Sequence, residues 1–93
     1  MYEWDEAKRE ANLRKHGLDF WAAHLVYENP DKLTSKLKTE REARFLDVAL
    51  VELKGTILAL VYTIRNGNVR FISFRFASRK ERRRYAAAKT RYD

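Results

Sequence analysis

The clearest pattern in the chain is alternation in its second half. Three runs, 44–53, 56–65 and 68–77, place apolar residues at every second position for most of their length. That is the period of a strand with two unlike sides. Asn66-Gly67 divides the last two runs and suits a two-residue type I′ turn, which needs positive φ at both positions. Lys54-Gly55 is a second turn signal between the first two runs.

Counting back from these turns gives a register. Thr63 faces Arg70, Val61 faces Ile72, Leu60 faces Ser73 and Leu58 faces Arg75; Val48 faces Val61 and Asp47 faces Tyr62. Opposed residues share one side of a sheet. One side then holds Leu46, Val48, Leu50, Ile57, Ala59, Val61, Ile72, Phe74 and Phe76. It is almost wholly apolar and is expected to lie under helices. The other side holds Asp47, Ala49, Leu58, Leu60, Tyr62, Phe71, Ser73 and Arg75. It mixes apolar groups with an acid, two hydroxyls and a guanidinium, and is expected to be the open, reactive face.

The first half reads as helical. Tyr2-Glu3-Trp4 can add a short edge strand, and Asp5 then fits an N-cap with Glu6 in the first turn. A helix over 6–15 follows, with a thin apolar stripe of Ala7, Ala11 and Leu13, and Gly17 suits the left-handed position that ends it. A second helix begins after Asp19, carries Phe20, Ala23 and Tyr27 on one face, and must stop before Pro30. The segment 32–37 reads as a short strand and 38–42 as a surface loop. Ser78-Arg79-Lys80-Glu81 matches a capping box, so a last helix starts beside the third long strand. Its apolar side holds Tyr85, Ala88 and Tyr92. The pattern as a whole predicts an α+β fold: two N-terminal helices packed on one face of an antiparallel sheet, then a C-terminal helix.

Composition narrows the class. The chain has 93 residues, enough for one small domain over 1–93, and it is 45% hydrophobic. It lacks cysteine, which removes disulfides and thiolate metal sites. The first ten residues are charged and lack the apolar core of a signal peptide, and no apolar run approaches a membrane span. A soluble, cytoplasmic protein without a membrane partner is expected. The net charge is +7 with 35% charged residues, which favours an anionic partner.

That charge is concentrated at one joint. Arg75, Arg79, Lys80, Arg82, Arg83 and Arg84 surround the passage from the third strand into the last helix, opposed only by Glu81. Such a corner is suited to phosphate. Cleaving RNA through attack of the 2′-hydroxyl needs a base, an acid and cations for the charged transition state. Arg75 and Arg79 can supply the cations, with bidentate geometry that fits phosphate. His16, Tyr62, Tyr85, Glu81 and Lys15 are the candidate proton carriers. Each has a plainer reading: His16 closes a helix, Glu81 caps one, and the tyrosines pack. His24, inside the apolar helix, reads as a packing residue. Arg82, Arg83 and Arg84 diverge around a helix, so they cannot all meet one phosphate. Two histidines far apart give no metal site, and no cofactor is expected. A different reading is a non-catalytic nucleic-acid-binding module that stacks bases on exposed Phe71 and Tyr62. A third is a protein-binding surface for an acidic partner.

Short motifs run the length of the chain: Trp4-Asp5-Glu6-x-Lys8, Asn12, Lys15-His16-Gly17-x-x-Phe20, Glu42-x-Arg44-Phe45, Tyr62-Thr63-x-Arg65, Arg70-x-Ile72-Ser73-x-Arg75-x-Ala77-x-Arg79-x-Glu81, and Tyr85. In combination they resemble the BrnT toxins, also catalogued as DUF497. The resemblance implies a RelE-like ribonuclease fold and an endoribonuclease toxin of a type II toxin–antitoxin pair that arrests translation; the cleavage chemistry above makes metal-independent cleavage the expectation. It implies a BrnA-like antitoxin as partner, RNA as substrate, and contact with DNA only indirectly, through the antitoxin complex. The family motif falls on Lys15, His16, Arg44, Tyr62, Ser73, Arg75, Arg79, Glu81 and Tyr85. The resemblance does not settle which of these are catalytic; taken with the cationic joint, Arg75 and Arg79 are expected to hold the phosphate and His16 or Tyr85 to move protons, with Lys15, Arg44, Tyr62, Ser73, Arg82 and Arg83 binding RNA.

Overall fold

A computed structural model describes residues 1–90, so Tyr92 lies outside the described residues. The elements are β1 (Tyr2–Glu3), α1 (Glu6–His16), a 3₁₀ turn (Phe20–Ala22), α2 (His24–Tyr27), β2 (Leu33–Leu37), β3 (Arg44–Val51), β4 (Thr56–Arg65), β5 (Asn68–Phe76) and α3 (Arg79–Thr90). The fold is α+β. Five strands form one mixed sheet in the order β1-β5-β4-β3-β2, antiparallel except for β1, which runs parallel to β5.

Local chemistry sets most boundaries. The Asp5 carboxylate accepts from the Lys8 N–H and starts α1, and Gly17 at φ 71° ends it by donating its N–H to the Leu13 carbonyl. Asp19 caps the next segment, but that segment is a 3₁₀ turn followed by a single turn of α-helix, shorter than the periodicity suggests. Between Asp19 and Pro30 the chain must also turn back toward the sheet, which leaves no room for a long helix. Asn66 at φ 53° and Gly67 at φ 79° form the tight β4–β5 turn, so the Arg65–Asn68 and Thr63–Arg70 pairs stand as read.

The register departs from expectation at two places. The β3–β4 connection spans four residues, Glu52 to Gly55, rather than two, so Val51 faces Thr56 and Val48 faces Ala59. This slip is even, so no side chain changes face. The second departure does change faces. A bulge in β5 leaves Tyr62 opposite Phe71 but Val61 opposite Ser73, with Ile72 as the extra residue. Beyond it Phe74 joins the side that holds Phe71, while Ser73 and Arg75 cross to the side that holds Val61 and Ala59.

The two sides of the sheet are also covered in the opposite sense to that expected. Leu18, Phe20, Ala23 and Val26 pack on Ala49, Val51, Leu58, Leu60, Tyr62, Phe71 and Phe74, forming the main core. The side read as open is therefore the most deeply buried. Both sides are apolar enough to be covered, and the aromatic residues on the main-core side decide which is. Phe20, Phe71 and Phe74 are among the largest fully buried side chains, each worth about 1.5–3 kcal/mol of burial. The two polar groups on that side satisfy one another. Asp47, fully buried, accepts from the Tyr62 hydroxyl (3.2 Å) and the Thr34 hydroxyl (2.6 Å). The Lys32 ammonium stands 2.7 Å from the other Asp47 oxygen, which has no well-aimed hydrogen bond and is held by charge.

The opposite side packs a smaller cluster: Leu46, Val48 and Ala59 with Ala77 and Tyr85, edged by Leu33, Leu37, Ile57 and Val61. Helix α3 contacts β3 there, and Val61, Ser73, Arg75, Arg70 and Arg44 on this side stay half-exposed.

Candidate active site

The cationic joint forms where β5 ends and α3 begins. Ser78 and Glu81 complete the capping box in both directions: the Glu81 N–H donates to the Ser78 hydroxyl (3.1 Å), and the Ser78 N–H donates to the Glu81 carboxylate (2.8 Å). The same carboxylate takes both arms of the Arg75 guanidinium, at 2.7 and 2.9 Å. The hydrogen bonds from Arg75, and with them the Ser78 N–H, pull the Glu81 carboxyl down to about 2. Glu81 in turn raises Arg75 above its ordinary value. The pair stays ionised at neutral pH, and the guanidinium is fixed in direction before any ligand arrives.

Helix α1 brings His16 to this corner. Its apolar stripe is not what docks it, since Ala7, Ala11 and Leu13 are exposed and Asn12 is its only buried residue. The Asn12 amide donates to the carbonyls of Phe74 (2.8 Å) and Leu18 (3.0 Å) and accepts from the Phe74 N–H (3.0 Å). It thus takes up the free edge of β5 one residue before Arg75. His16 lies one helical turn beyond Asn12, on the same face. Burial, then the charges of Lys15 and Arg75, hold the imidazole below its ordinary value. The half-buried imidazole is thus held toward its neutral form, near enough to Arg75 to feel its charge.

The other candidates fall in several places. Arg79 is exposed in the first turn of α3, and Arg82 and Arg83 are exposed further along it. Among the described residues, Arg79, Lys80, Arg82, Arg83 and Arg84 form no ion pair with a carboxylate. Lys15 is exposed beside His16. Ser73 is half-buried on the same side of the sheet as Arg75. Arg44 shares that side but pairs with Thr63, whereas Arg75 pairs with Ala59. Four residues along β4 separate the two by about 13 Å along the strand direction.

Tyr62 is not at the corner. It is buried against Tyr27 and Phe45 on the far side of the sheet, and burial, then the charge and hydrogen bond of Asp47, push its hydroxyl well above the ordinary range. The bulge is what separates it from Ser73 and Arg75. Tyr85 is buried in the small cluster under α3 with the Lys89 ammonium over its ring. Phe71 is likewise buried, so neither aromatic named for base stacking is available. His24 packs with its Nδ1 3.0 Å from the Trp21 carbonyl. Asn12 had no role in the sequence reading beyond its place in a motif. Its one signal was an uncharged polar residue one turn before His16 in a helix without an apolar stripe.

Among the described residues, no cluster of three His, Cys, Asp or Glu side chains is arranged to hold a metal ion. No helix among them is long and apolar enough to cross a membrane. Residues 4–81 match the model of a family described as the ribonuclease toxin BrnT of type II toxin–antitoxin systems, and the chain belongs to this family. No curated protein matches it.

Proposed function

From its membership of the BrnT family of ribonuclease toxins, we propose that this chain is a RelE-like endoribonuclease whose reaction is centred on the corner formed by His16, Arg75, Glu81 and Arg79. The observation that carries this reading is geometric: Asn12 binds Phe74, next to Arg75, and so sets the last turn of α1, with His16, near a guanidinium that Glu81 holds in place. His16 takes the proton from the RNA 2′-hydroxyl as its oxygen bonds to phosphorus. The bond to the 5′-oxygen breaks, and that leaving oxygen takes up a proton from water. Arg75 and Arg79 hold the phosphate and offset the charge that develops on it. Glu81 keeps the Arg75 fork aimed, and Arg75 reaches substrate with the donors Glu81 does not use. Exposure favours His16 over the buried Tyr85 as the proton carrier. Lys15, Arg82, Arg83 and Arg44 steer and hold the RNA backbone, with Ser73 beside Arg75.

The charge this reaction needs is supplied by arginine, which makes it metal-independent. Cleavage of messenger RNA would arrest translation. A BrnA-like antitoxin covering the basic corner and the half-exposed side of the sheet would neutralise the toxin, and that binding should weaken with salt. The non-catalytic binding module loses its support, because the aromatics it needs are in the core.

The test is the chemistry of the cut ends. Purified RNA incubated with the protein in EDTA should give 2′,3′-cyclic phosphate and 5′-hydroxyl termini. Loss of cleavage in EDTA, or 5′-phosphate ends, would contradict the mechanism.

A further inference from the structure

We infer that Asn12 is a positioning residue for the cleavage reaction, setting His16 against Arg75 by acting as a surrogate strand partner for Phe74; the inference rests on the nuclease reading above. Strand β5 has a neighbour on its outer edge only over Val69 and Arg70, where β1 pairs with it. Further along, the Phe74 N–H and carbonyl would be left without a partner. The Asn12 side chain presents one donor and one acceptor to them, as a neighbouring peptide group would. The two residues are 62 apart in sequence, so this amide ties the N-terminal helix to the strand that carries Arg75.

Nothing apolar shares the task. Among the described residues, α1 is also tied to its surroundings by Arg9, which pairs with Asp19, and by Glu6, which accepts from the Trp4 indole. The third Asn12 bond, to the Leu18 carbonyl, fixes the turn that follows His16. Three directed bonds from one buried amide thus define where the last turn of α1 sits. Geometry of that kind matters for catalysis, since a displacement of about 1 Å can cost on the order of 100-fold in rate.

Two variants separate positioning from simple support of the fold. Asn12→Ala removes the amide, and Arg9→Ala loosens the same helix without touching it. Both are compared at a temperature where circular dichroism shows them folded, with Asn12→Ser as the milder substitute if Asn12→Ala does not fold. Asn12→Ala is expected to lower kcat by about 10- to 100-fold with KM changed by less than about threefold. The chain has two histidines, so the His16 ring is followed by NMR without RNA. Its titration should move up toward the ordinary histidine value as Arg75 and the burial recede, while Lys15 stays adjacent. Arg9→Ala should leave both readouts in place.

An unchanged kcat and His16 titration in the Asn12 variant would overturn the inference. So would losses that merely follow the unfolded fraction and match those of Arg9→Ala. Should Arg75→Ala prove fully active, the nuclease site is wrong, yet the RNA-free His16 titration still reads whether Asn12 sets the imidazole against Arg75.

Discussion

Two carboxylates in this small protein each hold a cation, and they do opposite things. Asp47 is sealed in the main core, where Lys32, Thr34 and Tyr62 surround it. Glu81 sits at the surface, where it caps α3 and grips Arg75. The side chains of the Arg75–Glu81 pair are 30% and 15% exposed, against none for Asp47. The buried group has no access to a ligand, so its charge can only tie β2, β3 and β4 together. The surface pair leaves part of a guanidinium facing solvent beside His16. Burial, rather than the type of pair, separates a fastening from a site.

The comparison can be broken most severely at Asp47. Asp47→Ala leaves the buried Tyr62 hydroxyl without its partner and removes the acceptor that ties in Thr34 and the half-exposed Lys32, and should cost about 2–3 kcal/mol in urea denaturation. A loss near zero would mean the buried network is incidental. Glu81→Gln should cost less, about 1 kcal/mol, because glutamine can still cap the helix and the lost ion pair is partly solvated. Its signature lies at acid pH. Glu81 titrates at about 2 when folded against an ordinary 4.5, so its contribution is complete above that ordinary value and fades as pH falls toward 2. The wild type should lose stability over that window more steeply than Glu81→Gln. Parallel curves would show that Arg75 does not hold Glu81 in solution.

The finest test concerns His16. Its folded value is lowered, so the neutral base persists to a pH below the usual 6.5. The cleavage rate should rise with pH through a midpoint below 6.5 and level off near neutrality. The His16 contribution to stability has the same sign, being lost as pH falls through that window, because the unfolded chain then binds more protons. A midpoint at or above 6.5 would contradict a half-buried imidazole set among the Lys15 and Arg75 charges.

Much of this was legible before the structure. Turns and caps are local chemistry, so Asn66-Gly67, Gly17 and the Ser78–Glu81 box stand as read. Long alternating strands were readable for the same reason. The bulge at Ile72 was not, because one extra residue leaves no mark in a run of apolar and aromatic side chains. That single residue moved Ser73 and Arg75 to the side away from Tyr62. The covered side was misjudged because purity of apolar character is a poor guide when both sides can be buried. Asp47 looked solvated, yet it finds its partners in Thr34, Lys32 and Tyr62, two of them on or next to a short strand that pairs at a distance in sequence. The corner itself was legible as a charge cluster. What the sequence could not show is that Asn12 brings His16 to it.

The most direct measurement is cleavage of purified RNA in EDTA, with and without ribosomes, by the wild type and by Arg75→Ala at matched folded fraction. Cleavage by the wild type and a loss of at least about 100-fold in the variant would place the transition-state cation at Arg75. Equal cleavage by the two proteins would contradict the assignment of the corner as the active site.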